Sequence, residues 1–126
     1  MVGRKTLKSS EDDELIAFFK YIEWQSNKDL RLSYIYHIAN ERRSSWAAGK
    51  RLKKKGVKAG VPDVFVPIPT KKHPGLYMEF KVDHNKPTDR QEYFLTGLAS
   101  LGYVTKVVYS ATEAIDVLNR YLCDSV

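Results

Sequence analysis

Asp63, Glu79 and Lys81 are the residues of this chain whose types and spacing could do chemistry. The turn Gly60-Val61-Pro62-Asp63 ends on a carboxylate, and Glu79-Phe80-Lys81 sets a second carboxylate two residues from an ammonium. From Leu76 to Val82 the residues alternate, with Leu76, Met78, Phe80 and Val82 on one side and Tyr77, Glu79 and Lys81 on the other. Period two predicts a strand, so Glu79 and Lys81 project from the same face. Asp63 precedes another apolar run, Val64-Phe65-Val66, and stands where that strand begins. Carboxylates on neighbouring strands suit Mg²⁺ or Mn²⁺, which take oxygen ligands. Such an ion polarises a phosphodiester and acidifies a coordinated water. Lys81 beside it would stabilise charge on the phosphoryl oxygens or orient the attacking water. No Cys and His cluster offers a zinc site, and no glycine-rich loop has the spacing of a phosphate cradle.

Each residue also has a plainer use, and spacing alone leaves both open. Glu79 and Lys81 could be an exposed pair on a solvated sheet face. Asp63 could cap the turn after Pro62. Glu14 could be surface dressing on a helix, and Gln91, three residues after Thr88, could complete a capping box. His37 could be a satisfied strand histidine, and Cys123 a bystander near the C-terminus.

The elements that must position these groups follow from periodicity and caps. Ser10, with Asp13 three residues on, predicts the start of a helix to about Trp24, with Leu15, Phe18, Phe19 and Ile22 on one face. Glu11, Asp12, Asp13 and Glu14 suit the positive end of its dipole. Leu32, Tyr34, Tyr36 and Ile38 alternate as a strand, and a basic helix from about Arg42 to Lys55 should stop at Gly56. The Asp63 and Glu79 strands, joined by a loop rich in Pro and Lys, read as an antiparallel hairpin. A helix from about Thr88 to Leu101, a strand from Tyr103 to Tyr109, and a helix opened by the box Ser110-Ala111-Thr112-Glu113 complete the order. The helix between the last two strands allows them to pair in parallel. This is an α/β arrangement: one small mixed β-sheet flanked by helices.

At 126 residues, 43% hydrophobic and 29% charged, the chain has room for one globular domain over residues 1–126, with about residues 1–9 as a basic arm. No apolar run approaches the roughly 18–20 residues that span a bilayer, and the N-terminus lacks a secretory signal. A lone cysteine fits a reducing cytoplasm. Net charge is +6, from 21 Lys and Arg against 15 Asp and Glu, which favours polyanionic partners. The excess gathers in Arg42, Arg43, Lys50, Arg51, Lys53, Lys54, Lys55 and Lys58, with Lys86 and Arg90 further on. These are candidate phosphate contacts to DNA, reading shape more than base sequence. A solvated helix face is the plainer use of the same run.

Gly60-x-Pro62-Asp63, then Glu79-x-Lys81, then Gln91 at a helix start resembles the PD-(D/E)xK nuclease superfamily, which has a restriction-endonuclease-like core. More narrowly, the chain is similar to the VRR-NUC domain, the virus-type replication-repair nuclease. His37-Ile38-Ala39-Asn40, Lys53 to Gly56, Leu76 to Lys81, Pro87 to Gln91 and Gly102-Tyr103 extend that likeness from about Glu14 to Tyr109. His-Ile-Ala-Asn40-Glu41 departs from the Pro-Asn-Gly of many relatives, which affects Asn40 and leaves the acidic residues untouched.

The resemblance implies roles. Asp63 and Glu79 match metal ligands, the backbone carbonyl of Phe80 a third, and Lys81 the catalytic lysine. Glu14 matches a first-helix glutamate that reaches the metal, and Gln91 a glutamine lining the site. A short chain resembles the stand-alone phage or bacterial members, working in a bacterial or phage-infected cytoplasm without a small-molecule cofactor. Those are similar to Holliday-junction resolvases, which implies a homodimer acting on four-way DNA junctions. Trp24, Trp46, Tyr93 and Tyr103 are aromatics that could serve the dimer face or the core. Two other expectations are weighed beside this one. The first is a monomeric flap or end-processing nuclease. The second is a non-catalytic basic DNA-binding module, against which the intact Asp63, Glu79 and Lys81 speak.

Overall fold

The computed structural model describes residues 9–39 and 46–126. Helix α1 (Glu11–Gln25) begins at Ser10, whose hydroxyl accepts from the Asp13 N–H at 3.1 Å while the Asp13 carboxylate accepts from the Ser10 N–H at 3.1 Å. This reciprocal cap satisfies two backbone donors that the helix itself leaves unpaired. A short 3₁₀ helix (Leu30–Tyr34) follows, then β1 (Tyr36–His37) and helix α2 (Trp46–Lys54). The hairpin of β2 (Val64–Val66) and β3 (Leu76–Phe80) comes next, then α3 (Asp89–Ser100), β4 (Val104–Val108) and α4 (Ala111–Leu122).

The strand expected across Leu32 to Ile38 is a correction. Asp29 caps a 3₁₀ turn by accepting from the Arg31 N–H at 3.1 Å, and only Tyr36 and His37 remain extended. Burial explains the difference. Leu32 and Ile35 are the residues that enter the core, and their spacing of three matches the 3₁₀ repeat. The alternation of Leu32, Tyr34, Tyr36 and Ile38 coincides with the strand period without being used for it. The first four residues expected in the basic helix, 42–45, with Arg42 and Arg43 among them, lie outside the described residues. Its C-terminus ends at Gly56, which takes φ +94° as a helix stop requires.

Strand order is β1-β2-β3-β4, with antiparallel β1/β2 and β2/β3 pairs and a parallel β3/β4 pair. On one face, Phe18 and Ile22 of α1 and Ala114, Val117, Leu118 and Tyr121 of α4 join Val64, Val66, Leu76, Met78 and Phe80 in the main core. The buried Tyr121 hydroxyl is satisfied by donating to the Ile68 carbonyl at 2.8 Å. Helix α3 lies along β4, where the Thr105 hydroxyl donates to the Leu95 carbonyl at 3.1 Å. Thr105 pairs with Tyr77 in register, so α3 covers part of the face that carries Tyr77, Glu79 and Lys81. The sheet is therefore covered on both sides near its centre. No helix among the described residues is long and apolar enough to cross a membrane.

Candidate active site

Register brings the two carboxylates together. Val64 pairs with Met78, so Asp63, one residue before β2, falls opposite Glu79 on the same face. Like charges directly opposite destabilise a sheet, yet the backbone fixes this pair in place. The Phe80 N–H donates to Asp63 Oδ2 at 2.8 Å. The Asp63 carbonyl accepts from the Ile38 N–H at 2.7 Å and contacts His37 Nδ1 at 2.7 Å. A carbonyl can only accept, so Nδ1 carries the hydrogen and His37 acts as a brace on Asp63. Gly60 adds a third restraint. It holds φ +87°, and a Cβ there would sit 2.6 Å from the Arg90 carbonyl carbon, so only glycine lets the turn before Asp63 press against the start of α3.

Glu79 is 2% exposed, Lys81 8% and Gln91 4%, which removes the solvated-face alternative for the pair. Lys81 Nζ lies 4.0 Å from Glu79 Oε2. Gln91 serves as cap and as site residue at once. Its Oε1 accepts from the Thr88 N–H at 2.9 Å, and its own N–H donates to the Thr88 hydroxyl at 3.2 Å. With Oε1 committed to the cap, Nε2 must face the other way, where it donates to Glu79 Oε2 at 3.1 Å. Glu79 Oε1 is buried and has no hydrogen-bond partner. Burial, then the Asp63 charge and the Asp63 carboxylate as an acceptor neighbour, push the Glu79 carboxyl up to about 8; Lys81 pulls it down and Glu11 adds to the rise.

The first-helix carboxylate that Glu79 senses is thus Glu11, which sequence reasoning did not single out. Glu14 makes contacts of its own. Its Oε1 accepts from the Ala111 N–H at 2.9 Å and its Oε2 from the Ser9 hydroxyl, so it ties α1 to the first turn of α4. Glu11 and Glu14 sit one turn apart, both in phase with the buried Phe18. That Glu14 meets the start of α4 is set by helix packing that sequence spacing does not encode.

The candidate DNA contacts Lys50, Lys53, Lys54, Lys55, Lys58, Lys86 and Arg90 are all exposed. Arg51, Lys53 and Lys54 fill the last turn of α2, where cations suit the negative end of the dipole. The Arg90 guanidinium lies over the rings of Tyr93 and Phe94, at 5.3 and 5.7 Å. Arg43 and Asn40 lie outside the described residues.

The chemistry of the donor set fits a hard cation. Asp63 and Glu79 supply anionic oxygens and Phe80 a main-chain carbonyl, the ligand types Mg²⁺ accepts while keeping several waters. Glu79 Oε1, buried without a hydrogen-bond partner, has a lone pair to offer such a cation. No group of three or more His, Cys, Asp or Glu side chains among the described residues could close a site unaided.

The VRR-NUC domain matches residues 4–112. Two solved chains match the fold. One of them, a VRR-NUC domain protein, superposes with a TM-score of 0.77 at 25% identity, over 94% of this chain and 92% of its own. No curated protein matches the chain.

Proposed function

Because the chain belongs to the VRR-NUC domain family, a family of nucleases, we propose that it is a divalent-metal-dependent endonuclease that cuts branched DNA, with Asp63, Glu79 and the Phe80 carbonyl holding Mg²⁺ or Mn²⁺. The observation that carries this reading is the buried, unpartnered Oε1 of Glu79, set beside a second carboxylate and under a lysine. When bound, the cation supplies Lewis-acid polarisation of the scissile phosphate and an acidified water. The remaining work falls to the chain. Lys81 offsets charge that builds on the phosphoryl oxygens. Gln91 fixes the rotamer of Glu79 through Oε2 and leaves Oε1 free to face the cation. Glu11 adds negative potential from α1, while Glu14 positions α1 against α4. Lys50, Lys53, Lys54, Lys55, Lys58, Lys86 and Arg90, with Arg43, bind DNA phosphates.

Four-way junctions are the substrate we favour, cut by a homodimer, because a two-fold junction is matched by an isologous pair of sites. A cleavage panel of junctions, flaps and linear duplex with Mg²⁺ and Mn²⁺, run on wild type and Asp63→Ala, tests both levels. Loss of all cleavage in Asp63→Ala is expected. Equal cutting by the two proteins would remove the metal site, and a monomer that cuts flaps alone would move the substrate to end processing.

A further inference from the structure

The face of the sheet that carries Glu79 and Lys81 carries something else beside them. Tyr36, Phe65 and Tyr77 are direct cross-strand neighbours on β1, β2 and β3, and Tyr103 closes the row at the start of β4. Phe65 and Tyr77 stack at 4.4 Å between ring centroids. Tyr36 meets Phe65 edge-on at 6.0 Å, and Tyr103 meets Tyr77 edge-on at 5.2 Å. Gly75 lies under this row: a Cβ there would come within 2.9 Å of the Phe65 ring and 3.3 Å of the Tyr103 ring.

Aromatic cross-strand pairs stabilise sheets without further purpose, so a second feature has to separate function from packing. Two do so here. Tyr36, on the edge strand, is 52% exposed, so the row ends in an open ring at the sheet edge opposite β4. Tyr77 and Tyr103 also bring two phenols side by side, and burial, then the Tyr103 and Tyr36 phenols, push the pKa of the Tyr77 hydroxyl up. Neutral phenols are donors, and none of the three has a hydrogen-bond partner among the described residues. An open ring in one row with unused donors is a poor core and a good ligand surface.

The occupant is fixed by what adjoins it. Tyr77 and Glu79 share a face two residues apart, about 6.6 Å along the strand, and Tyr36 lies two strand spacings away, about 9.5 Å across the sheet. The open ring is therefore roughly 12 Å from Glu79. At the 3.4 Å spacing of stacked nucleotides, that is within about four nucleotides of a phosphate at the carboxylates. With a net charge of +6, the chain is disposed to a polyanion along this path.

We propose that Tyr36, Phe65, Tyr77 and Tyr103 form a stacking platform for unpaired nucleotides of the strand being cut, with Tyr36 taking a base on its ring and the phenols of Tyr77 and Tyr103 donating to base edges or phosphate. The proposal rests on DNA being the substrate, and it gives a physical reason for preferring branched DNA. Fully paired duplex keeps its bases stacked inside, whereas a junction or flap offers bases that can be splayed onto a ring.

The test is binding without hydrolysis, so it stands apart from the metal chemistry. A single-stranded oligonucleotide carrying 2-aminopurine is titrated with wild type, Tyr36→Ala and Tyr36→Phe in the absence of divalent ions. Cleavage by wild type with Mg²⁺ is measured separately. Stacking on an aromatic ring contributes a factor of about 5 to 150 per base. Tyr36→Ala should weaken single-strand binding by a factor in that range and abolish the fluorescence quench. Tyr36→Phe should retain both, and blunt duplex should bind wild type and Tyr36→Ala within about twofold of each other. Thermal unfolding checks that the exposed position leaves the fold intact. Equal binding and quenching by wild type and Tyr36→Ala would overturn the proposal. So would a self-association that Tyr36→Ala disrupts without changing DNA binding, which would assign the row to a second copy of the chain.

Discussion

Glu79→Gln should make the metal-free protein more stable in mild alkali while abolishing its activity. The Glu79 carboxyl is raised from its ordinary 4.5 to about 8 by burial and by Asp63. A group that holds its proton more tightly when folded contributes stability in full below its unfolded pKa. That contribution is lost as pH climbs from about 4.5 through about 8. Between pH 6 and pH 9 the wild type should therefore lose roughly 2–3 kcal/mol relative to a variant that cannot ionise there. For a domain of this size, at roughly 3–6 °C per kcal/mol, the difference is on the order of 10 °C in Tm. The glutamine amide keeps the shape of the side chain and removes the repulsion with Asp63. The assay is thermal unfolding of both proteins across that range, without and with Ca²⁺ or Mg²⁺. The wild-type curve should fall with pH and recover when the cation is added; the variant should be flat in both conditions. Parallel curves for the two proteins would show that Glu79 does not titrate across this range, and the reasoning from burial and Asp63 would fail.

Gly60→Ala should cost at least about 2 kcal/mol, because the new Cβ meets the backbone of Arg90 at a positive φ; chemical denaturation measures it, and cleavage should fall with it. Gln91→Ala should cost about 1 kcal/mol from the lost cap and, in addition, lower kcat, since Glu79 Oε2 loses its amide donor. Thr88→Ala, matched in stability loss, should leave kcat nearer to wild type, and equal kcat losses would reduce Gln91 to a cap. Replacing Lys53, Lys54 and Lys55 with Gln should lower the slope of log affinity against log salt by roughly 2.7 if all three bind duplex phosphates. An unchanged slope would return that run to a solvated helix face.

How much of this was legible in the sequence depends on the range of the interaction. Caps are local, so Ser10 with Asp13 and Thr88 with Gln91 place the starts of α1 and α3 to within a residue. The third box is only half made: the Ser110 hydroxyl accepts from the Glu113 N–H, while the Glu113 carboxylate accepts from the Tyr109 N–H at 3.2 Å instead. Strand alternation located Glu79 and Lys81 on one face, but it could not say that α3 would bury that face. The segment from Leu32 to Ile38 misled because its alternation is real and its burial follows a repeat of three. The contact of Glu14 with the start of α4, the brace from His37 to the Asp63 carbonyl, and the second use of the Gln91 amide are all tertiary. Each depends on segments far apart in the chain being brought within a hydrogen bond, which no local spacing records.

The most direct test is to grow crystals with Mn²⁺ and locate the ion by its anomalous scattering in wild type and Asp63→Ala. One peak bonded to the carboxylates of Asp63 and Glu79 and to the Phe80 carbonyl, absent from the variant, is expected. Manganese bound elsewhere, in a protein that still cuts DNA, would contradict the assignment of these residues as the catalytic centre.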